Sequence, residues 1–338
     1  MQRPSSLATA EALDLIGRLE AHVLAGGEVS FDDALALVGL PDDAVPPLAS
    51  AADRIREHFC GDRVDLCAIV SARTGGCSED CAFCVQARDT EAHLEFAPMM
   101  SPSDILAAAR TAEQRGAHRF CIVTSGKALS DRDFKTAVEA LCLIGDETGL
   151  SRCASLGLLT HERAMRLAEA GLSRYHHNLE TCESFFGQVC TTHAYEERVA
   201  TVRAVRAANL QVCCGGILNV GESWHQRIEL AFELRDLAPD SVPVNFLDPR
   251  PGTPLEGRVP LSATDAMRIL SVFRFIMPRT SIRLAGGRKE TFSCAPSAPL
   301  RSGANAMLIG DLLTTSGPAA ANDLAMVRSV GLDPDTRC

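Results

Sequence analysis

The chain has 338 residues, 46% of them apolar and 22% charged, with a formal net charge of −10. That length can bury one large core or two ordinary domains, and an acidic balance without a long basic run speaks against a large polyanionic partner such as nucleic acid. The opening "MQRPSSLATAEALDLIGRLE" shows no apolar export segment, and no stretch approaches the ~20 apolar residues of a membrane span, so the expected location is cytoplasmic, with the fourteen cysteines as free thiols.

Residues 7 to 58 read as helices broken by Gly and Pro: "ATAEALDLIGRLEAHVLAG", "SFDDALALVGL" and "PPLASAADRIREHFCG". Short apolar strands then alternate with amphipathic helices. The predicted strands are "VDLCAIVS" (64–71), "HRFCIVTS" (118–125), "RCASLGL" (152–158), "SRYHHNLE" (173–180), "QVCCGGIL" (211–218), "SVPVNFL" (241–247), "SIRLAGG" (281–287) and "NAMLIG" (305–310). Segments between them, such as "SPSDILAAARTAEQRG" and "THERAMRLAEAG", open on Ser or Thr and close on Gly, as helices do. Eight strand-then-helix units predict an α/β fold: a TIM-type (β/α)8 barrel over 59–338, behind an N-terminal helical cap over 1–58. No GxGxxG turn follows the first strand, which disfavours a doubly wound sheet.

The loop after that first strand, "GGCSEDCAFCVQ", packs Cys77, Cys81 and Cys84 into a C-x₃-C-x₂-C run. Barrels carry their working residues in such loops. Thiolates select zinc or iron–sulfur clusters, and a four-iron cubane held by three cysteines leaves one iron open for a non-protein ligand. The competing possibility is a zinc loop completed by a distant ligand such as Cys67 or a His.

A second set emerges from strand parity. Side chains alternate across a strand, and the outer face of a barrel packs on helices and is apolar. Cys121 shares a face with Arg119, Cys153 with Ser151 and Ser155, Cys213 with Gln211, and Arg283 with Ser281, each opposite apolar neighbours. The same test turns Cys213 inward rather than Cys214, groups His176, Asn178 and Glu180, and places Asn245 on the Ser241 face. On this pattern alone, packing and a second metal centre both remain open. An inward Arg283 would equally take a carboxylate such as Glu180 or Asp248.

At the three-cysteine loop, with Phe83 between the second and third thiols, the sequence resembles the radical S-adenosylmethionine (SAM) superfamily. Over roughly 60–332 it is similar to the biotin synthases, through "TGGCSEDCAFCVQ", "RFCIVTSG", "YHHNLET", "TTHAYEERVATV", "VCCGGI", "SVPVNFLDPRPGTPLEG", "RFIMPRTSIRLAGGR" and "GANAMLIGDLLTT". The resemblance implies a SAM-binding [4Fe–4S] cluster on Cys77, Cys81 and Cys84. It also implies an auxiliary [2Fe–2S] cluster on Cys121, Cys153, Cys213 and Arg283, which donates sulfur in the conversion of dethiobiotin to biotin. By the same matching, Asn178, Glu180, Ile217 and Val220 contact SAM, and His176 and Asn245 contact substrate. A reduced flavodoxin or ferredoxin and a homodimeric assembly are implied as well.

His176 stands where the family often has Asn, and Asn219 where it often has Gly. Cys182, Cys190, Cys214 and Cys294 are expected to be structural, and Cys60, Cys67, Cys142 and Cys338 packing or surface residues. Two other functions remain in view: another radical SAM enzyme, in metallocofactor maturation or carbon-skeleton rearrangement, and a zinc-stabilised binding protein.

Overall fold

The structure is a computed structural model that describes residues 9–92, 94–311 and 317–335; Cys338 lies outside them. Eight parallel strands close into a barrel: β1 (Asp65–Arg73), β2 (Arg119–Thr124), β3 (Ser151–Ser155), β4 (Arg174–His176), β5 in two pieces (Gln211–Cys213 and Gly216–Leu218), β6 (Ser241–Phe246), β7 (Ser281–Leu284) and β8 (Ala306–Leu308). Each predicted strand has a counterpart. Neighbours in sequence pair in space, and β8 pairs with β1 to close the ring through Asp65–Ala306 and Cys67–Leu308.

The break in β5 explains the "CCGG" stretch. A side chain on Gly215 would collide with the carbonyl oxygen of Pro243, and one on Gly216 with that of Glu180. Only glycine lets the three backbones approach this closely. The ladder of β4 stops at His176, earlier than predicted. Its strand-like bonding nevertheless continues, His177 N donating to Cys213 O and Leu179 N to Gly215 O, both at 2.9 Å.

The outward residues Phe120, Ile122, Val212, Val244 and Ile282 join one apolar core with the surrounding helices α4 (Pro102–Gln114), α5 (Asp131–Glu147), α6 (His161–Glu169), the short α7 (Glu183–Phe186), α8 (Tyr195–Ala207), α9 (Trp224–Leu237) and α10 (Ala263–Ile276). Five of these start on a hydroxyl cap. Ser101, Ser130, Thr160, Ser223 and Ser262 accept from the backbone N–H three residues on, at 3.1–3.3 Å. Each cap is worth about 1 kcal/mol and fixes where a βα loop ends, at the functional rim of the barrel.

The N-terminal helix α1 (Thr9–Leu24) packs on α2 (Phe31–Val38) and α3 (Val45–Cys60), and α2 and α3 pack on α10. The fully buried Arg268 of α10 donates to Leu40 O and, at 2.6 Å, to Asp42 Oδ1. A second buried arginine of α10, Arg274, donates to Gly303 O (2.8 Å), Thr280 O (2.9 Å), Pro278 O (3.0 Å) and Asn305 Oδ1 (2.9 Å). It thereby holds the turns on both sides of β7. Arg274→Ala strands these acceptors in the core and is expected to cost about 3 kcal/mol or more in urea unfolding; an unchanged midpoint refutes this.

Candidate active site

A cavity of about 440 Å³ enters at the carboxyl ends of the strands, a volume suited to a small-molecule ligand. Cys77, Cys81 and Cys84 line it from the loop after β1, each half-buried and free of any disulfide. The chain enters that loop through Gly75 and Gly76, at φ +74° and +61°, where a side chain on Gly75 would press on the Phe96 backbone. Gly75 N donates to Gln86 Oε1 (2.8 Å), Ser125 Oγ donates to Gly75 O (2.6 Å), and Cys84 N donates to Cys81 O (2.9 Å).

A polar brace supports the loop from the segment before α8. Asp80 accepts from Thr191 N (2.9 Å), and Glu79 Oε2 from Thr192 Oγ1 (2.7 Å). Glu79, Cys190 and His193 lie close enough together to suggest a metal site. However, Arg198 Nε donates to His193 Nε2 at 3.0 Å, so His193 Nδ1 carries the proton it shares with Glu79 Oε2 at 2.6 Å. The ring has no lone pair left, and the trio is a hydrogen-bonded brace. Cys190 sits within it, 3.2 Å from both Asp80 Oδ1 and His193 Nδ1 and in hydrogen-bond reach of Cys81.

Inside the barrel, the ladder registers Cys121 beside Cys153, His176 beside Cys213 and Pro243 beside Arg283. Paired residues of a parallel ladder share a face, and all of these line the cavity, whereas Cys214 is buried in the outer core. The Cys121 thiol donates toward Cys153. This hydrogen bond, with Arg119, Arg174 and Arg283 nearby, lowers the Cys153 pKa, and the same bond together with burial raises that of Cys121.

The partner of Arg283 is neither Glu180 nor Asp248. Glu180 accepts from Arg198 (3.3 Å), and Asp248 pairs with Arg250. Arg283 instead bonds the carboxylate of Asp65, which also lies 3.3 Å from Arg174 and 4.0 Å from Arg119. Burial opposes the charge on Asp65, but these guanidiniums, Arg283 foremost, hold it well below the usual carboxylate range. Sequence reasoning passed over Asp65, Arg174 and the inward position of Cys67. Cys67 is a packing residue, as expected, but it packs against Cys121 and Cys153.

Nearer the rim, His176 Nε2 donates to Asn178 Oδ1 (2.9 Å), and Asn178 Nδ2 donates to Glu180 Oε2 (3.2 Å). Burial lowers the His176 pKa to about 4, so the ring is neutral near pH 7. Burial raises that of Glu180 against the pull of Arg198. Asn245 Oδ1 accepts from Gly286 N (2.9 Å) and its Nδ2 donates to Gly216 O (3.1 Å), leaving one lone pair and one N–H. Ile217 and Phe83 pack in an apolar patch with Val220, which the cavity itself does not touch. Asn219 has φ +77°, a left-handed conformation that glycine and asparagine both tolerate, which accounts for the interchange at this position. Cys182 is buried in the outer core, Cys60 half-buried, and Cys142 and Cys294 exposed.

Residues 72–234 match the radical SAM superfamily, and residues 243–333 the biotin and thiamin synthesis associated domain. The biotin synthase of Pelotomaculum thermopropionicum is 45% identical over 318 residues, covering 94% of this chain and 99% of the relative. That of Desulforudis audaxviator is 46% identical over 319 residues, covering 94% and 97%. The chain belongs to the biotin synthase family. It is therefore an enzyme, a sulfurtransferase of the radical SAM type, and membership of that superfamily implies a [4Fe–4S] cluster and SAM. The fold is shared more widely. Methylornithine synthase (PylB) superposes with a TM-score of 0.81 at 22% identity, over 94% of this chain and 97% of that one. The [FeFe]-hydrogenase maturase HydG gives 0.80 at 15% identity, over 96% and 75%.

Asp65→Asn leaves three buried guanidiniums without their anion and is expected to cost about 3–5 kcal/mol in urea unfolding near neutral pH. Because folding lowers the Asp65 pKa, its contribution is complete above the unfolded value of about 3.9 and fades as pH falls below it. The gap between the parent protein and Asp65→Asn should therefore narrow in acid; a gap that widens there contradicts the assignment.

Proposed function

We propose that this enzyme inserts sulfur into dethiobiotin to form biotin, with Cys77, Cys81 and Cys84 holding a SAM-binding [4Fe–4S] cluster. A second, [2Fe–2S] cluster is held inside the barrel by Cys121, Cys153, Cys213 and Arg283. The observation that carries this proposal is that both thiol sets line one cavity, the first at its rim and the second deep in the strands. The donor chemistry fits. The loop offers three thiols and leaves one corner of a cubane open, and the barrel thiols sit among three buried guanidiniums and one carboxylate, whose excess positive charge thiolates offset. Ser281 Oγ and Arg119 Nε are also buried without a hydrogen-bond partner among the described residues.

When bound, these groups supply a carbon radical able to take hydrogen from a saturated carbon, and the sulfur that replaces it. The residues of the chain position the reactants. Glu180 and Asn178 receive the amino and carboxylate groups of SAM, and Ile217 and Phe83, backed by Val220, give its adenine an apolar wall. His176, neutral, and the unspent donor and acceptor of Asn245 suit the ureido group of the substrate. The depth of the site within the barrel limits the access of water to the radical.

The same proposal includes a reduced flavodoxin or ferredoxin as electron donor, a homodimer, a cytoplasmic location, and the division into a helical cap (1–58) and a barrel domain (59–338). Among the described residues no helix is long and apolar enough to cross a membrane.

Anaerobic incubation of protein carrying both clusters with dethiobiotin, SAM and a reductant should yield biotin; none formed would sink the proposal. Cys153→Ala should abolish biotin while 5′-deoxyadenosine release from SAM persists. A maturase or a carbon-skeleton mutase could keep its own product in that variant. Glu180→Gln should raise the KM for SAM about ten-fold, through loss of one charge-assisted hydrogen bond, and leave the KM for dethiobiotin unchanged; equal shifts in both argue against a SAM contact.

A further inference from the structure

We propose that Cys81 and Cys190 form a reversible disulfide when the cysteine loop holds no iron, so that one thiol of the loop is parked against a partner outside it. The disulfide stands on geometry alone; its alternation with iron rests on the proposal above that Cys81 is a cluster ligand.

The two cysteines are set opposite one another by bonds on either side of them. Ala82 N donates to Val189 O at 2.9 Å, and the Asp80 carboxylate accepts from Thr191 N at 2.9 Å and from Thr192 N at 3.3 Å. The residues before and after Cys81 are thus tied to Thr191 and Val189, which flank Cys190, and the two thiols lie in hydrogen-bond contact. A disulfide needs this prior registration, with Cα atoms within about 7 Å, because thiols farther apart are joined only by moving the backbone.

The two thiols also differ in access. Cys81 is half-buried and lines the cavity, where a dissolved oxidant reaches it, whereas Cys190 is buried. Cys121 and Cys153 touch as well, but both are buried inside the barrel on neighbouring strands of a continuous ladder.

With a small disulfide as oxidant, the Cys81 thiolate attacks one of its sulfurs and releases a thiolate, leaving a mixed disulfide. The Cys190 thiolate then attacks the Cys81 sulfur and releases the second thiolate. Two protein thiols are oxidised, one small disulfide is reduced to two thiols, and these carry away the two protons. An accessible thiol beside a resolving partner is a recurrent redox pair. Once joined, the loop offers only Cys77 and Cys84 to a cluster that needs three thiolates, and a dithiol reductant restores the third. While Cys81 Sγ is bonded to iron, the exchange cannot start.

Full-length protein stripped of metal by a chelator under reductant, and then freed of both, should lose the Cys81 and Cys190 thiols together on exposure to oxidised glutathione. Non-reducing tryptic mass mapping should join residues 74–88 to residues 175–198, with fragmentation placing the bond at Cys81 and Cys190, and dithiothreitol should separate them. Cys190→Ser should stop at the mixed disulfide, with glutathione retained on the 74–88 peptide. A bond confined to the loop, one placed at Cys182, or no linkage between the two peptides overturns the proposal. Protein reconstituted anaerobically with iron and sulfide should resist the same treatment. Linkage at an undiminished rate in the iron-loaded protein removes Cys81 from the cluster while the disulfide site stands, so the two readings fail separately.

Discussion

One carboxylate holds the inside of this barrel together. Asp65, at the start of β1, meets guanidiniums from β2, β4 and β7, and none of the four ions is more than slightly exposed. An isolated buried ion is costly, so these groups are tolerable only as a set. Most barrels fill this space with layers of branched apolar side chains. Here three cations oppose one anion, and the remaining positive charge surrounds buried thiols. The interior thus carries an excess of positive charge that thiolates, and the anionic cluster proposed for them, would offset.

The outline of this arrangement was legible in the sequence because the outer face of the barrel is so consistently apolar. Phe120 and Ile122 opposite Cys121, or Ile282 and Leu284 opposite Arg283, mark the inner side of a strand without any knowledge of its neighbours. The same logic fails on β1. In "VDLCAIVS" both faces are apolar, Leu66 and Ala68 on one side and Cys67 and Ile69 on the other, so alternation gives no signal and Cys67 passes as packing. Asp65 reads as a polar residue at a strand end. Its partner Arg283 lies 218 residues away, a pairing that only closure of the ring between β8 and β1 creates.

Backbone geometry set a second limit. The parity that groups His176, Asn178 and Glu180 assumes an extended strand through residue 180, but Glu180 has φ +73° and His177 also reaches the cavity. The three predicted side chains still converge there, because backbone bonds to β5 carry the segment past the end of its ladder. At Asn219 the pattern reverses. What reads as a departure from the family is a choice between the two residue types that best tolerate a left-handed backbone.

The two thiol sets are also held in different ways. Those of the barrel ride on paired strands whose positions are fixed by the ladder and by the Asp65 ion group. Those of the loop depend on a chain of side-chain bonds: Arg198 reaches Glu180 on one side and His193 on the other, and His193 in turn holds Glu79 of the cysteine loop. Arg198 thus bridges the Glu180 carboxylate and the brace beside the cysteine loop. No such path joins Glu180 to Asp65 among the described hydrogen bonds. This division suits the proposed chemistry, in which a cofactor must enter and leave beside the loop while a sulfur donor inside the barrel is held within close range of the reacting carbon.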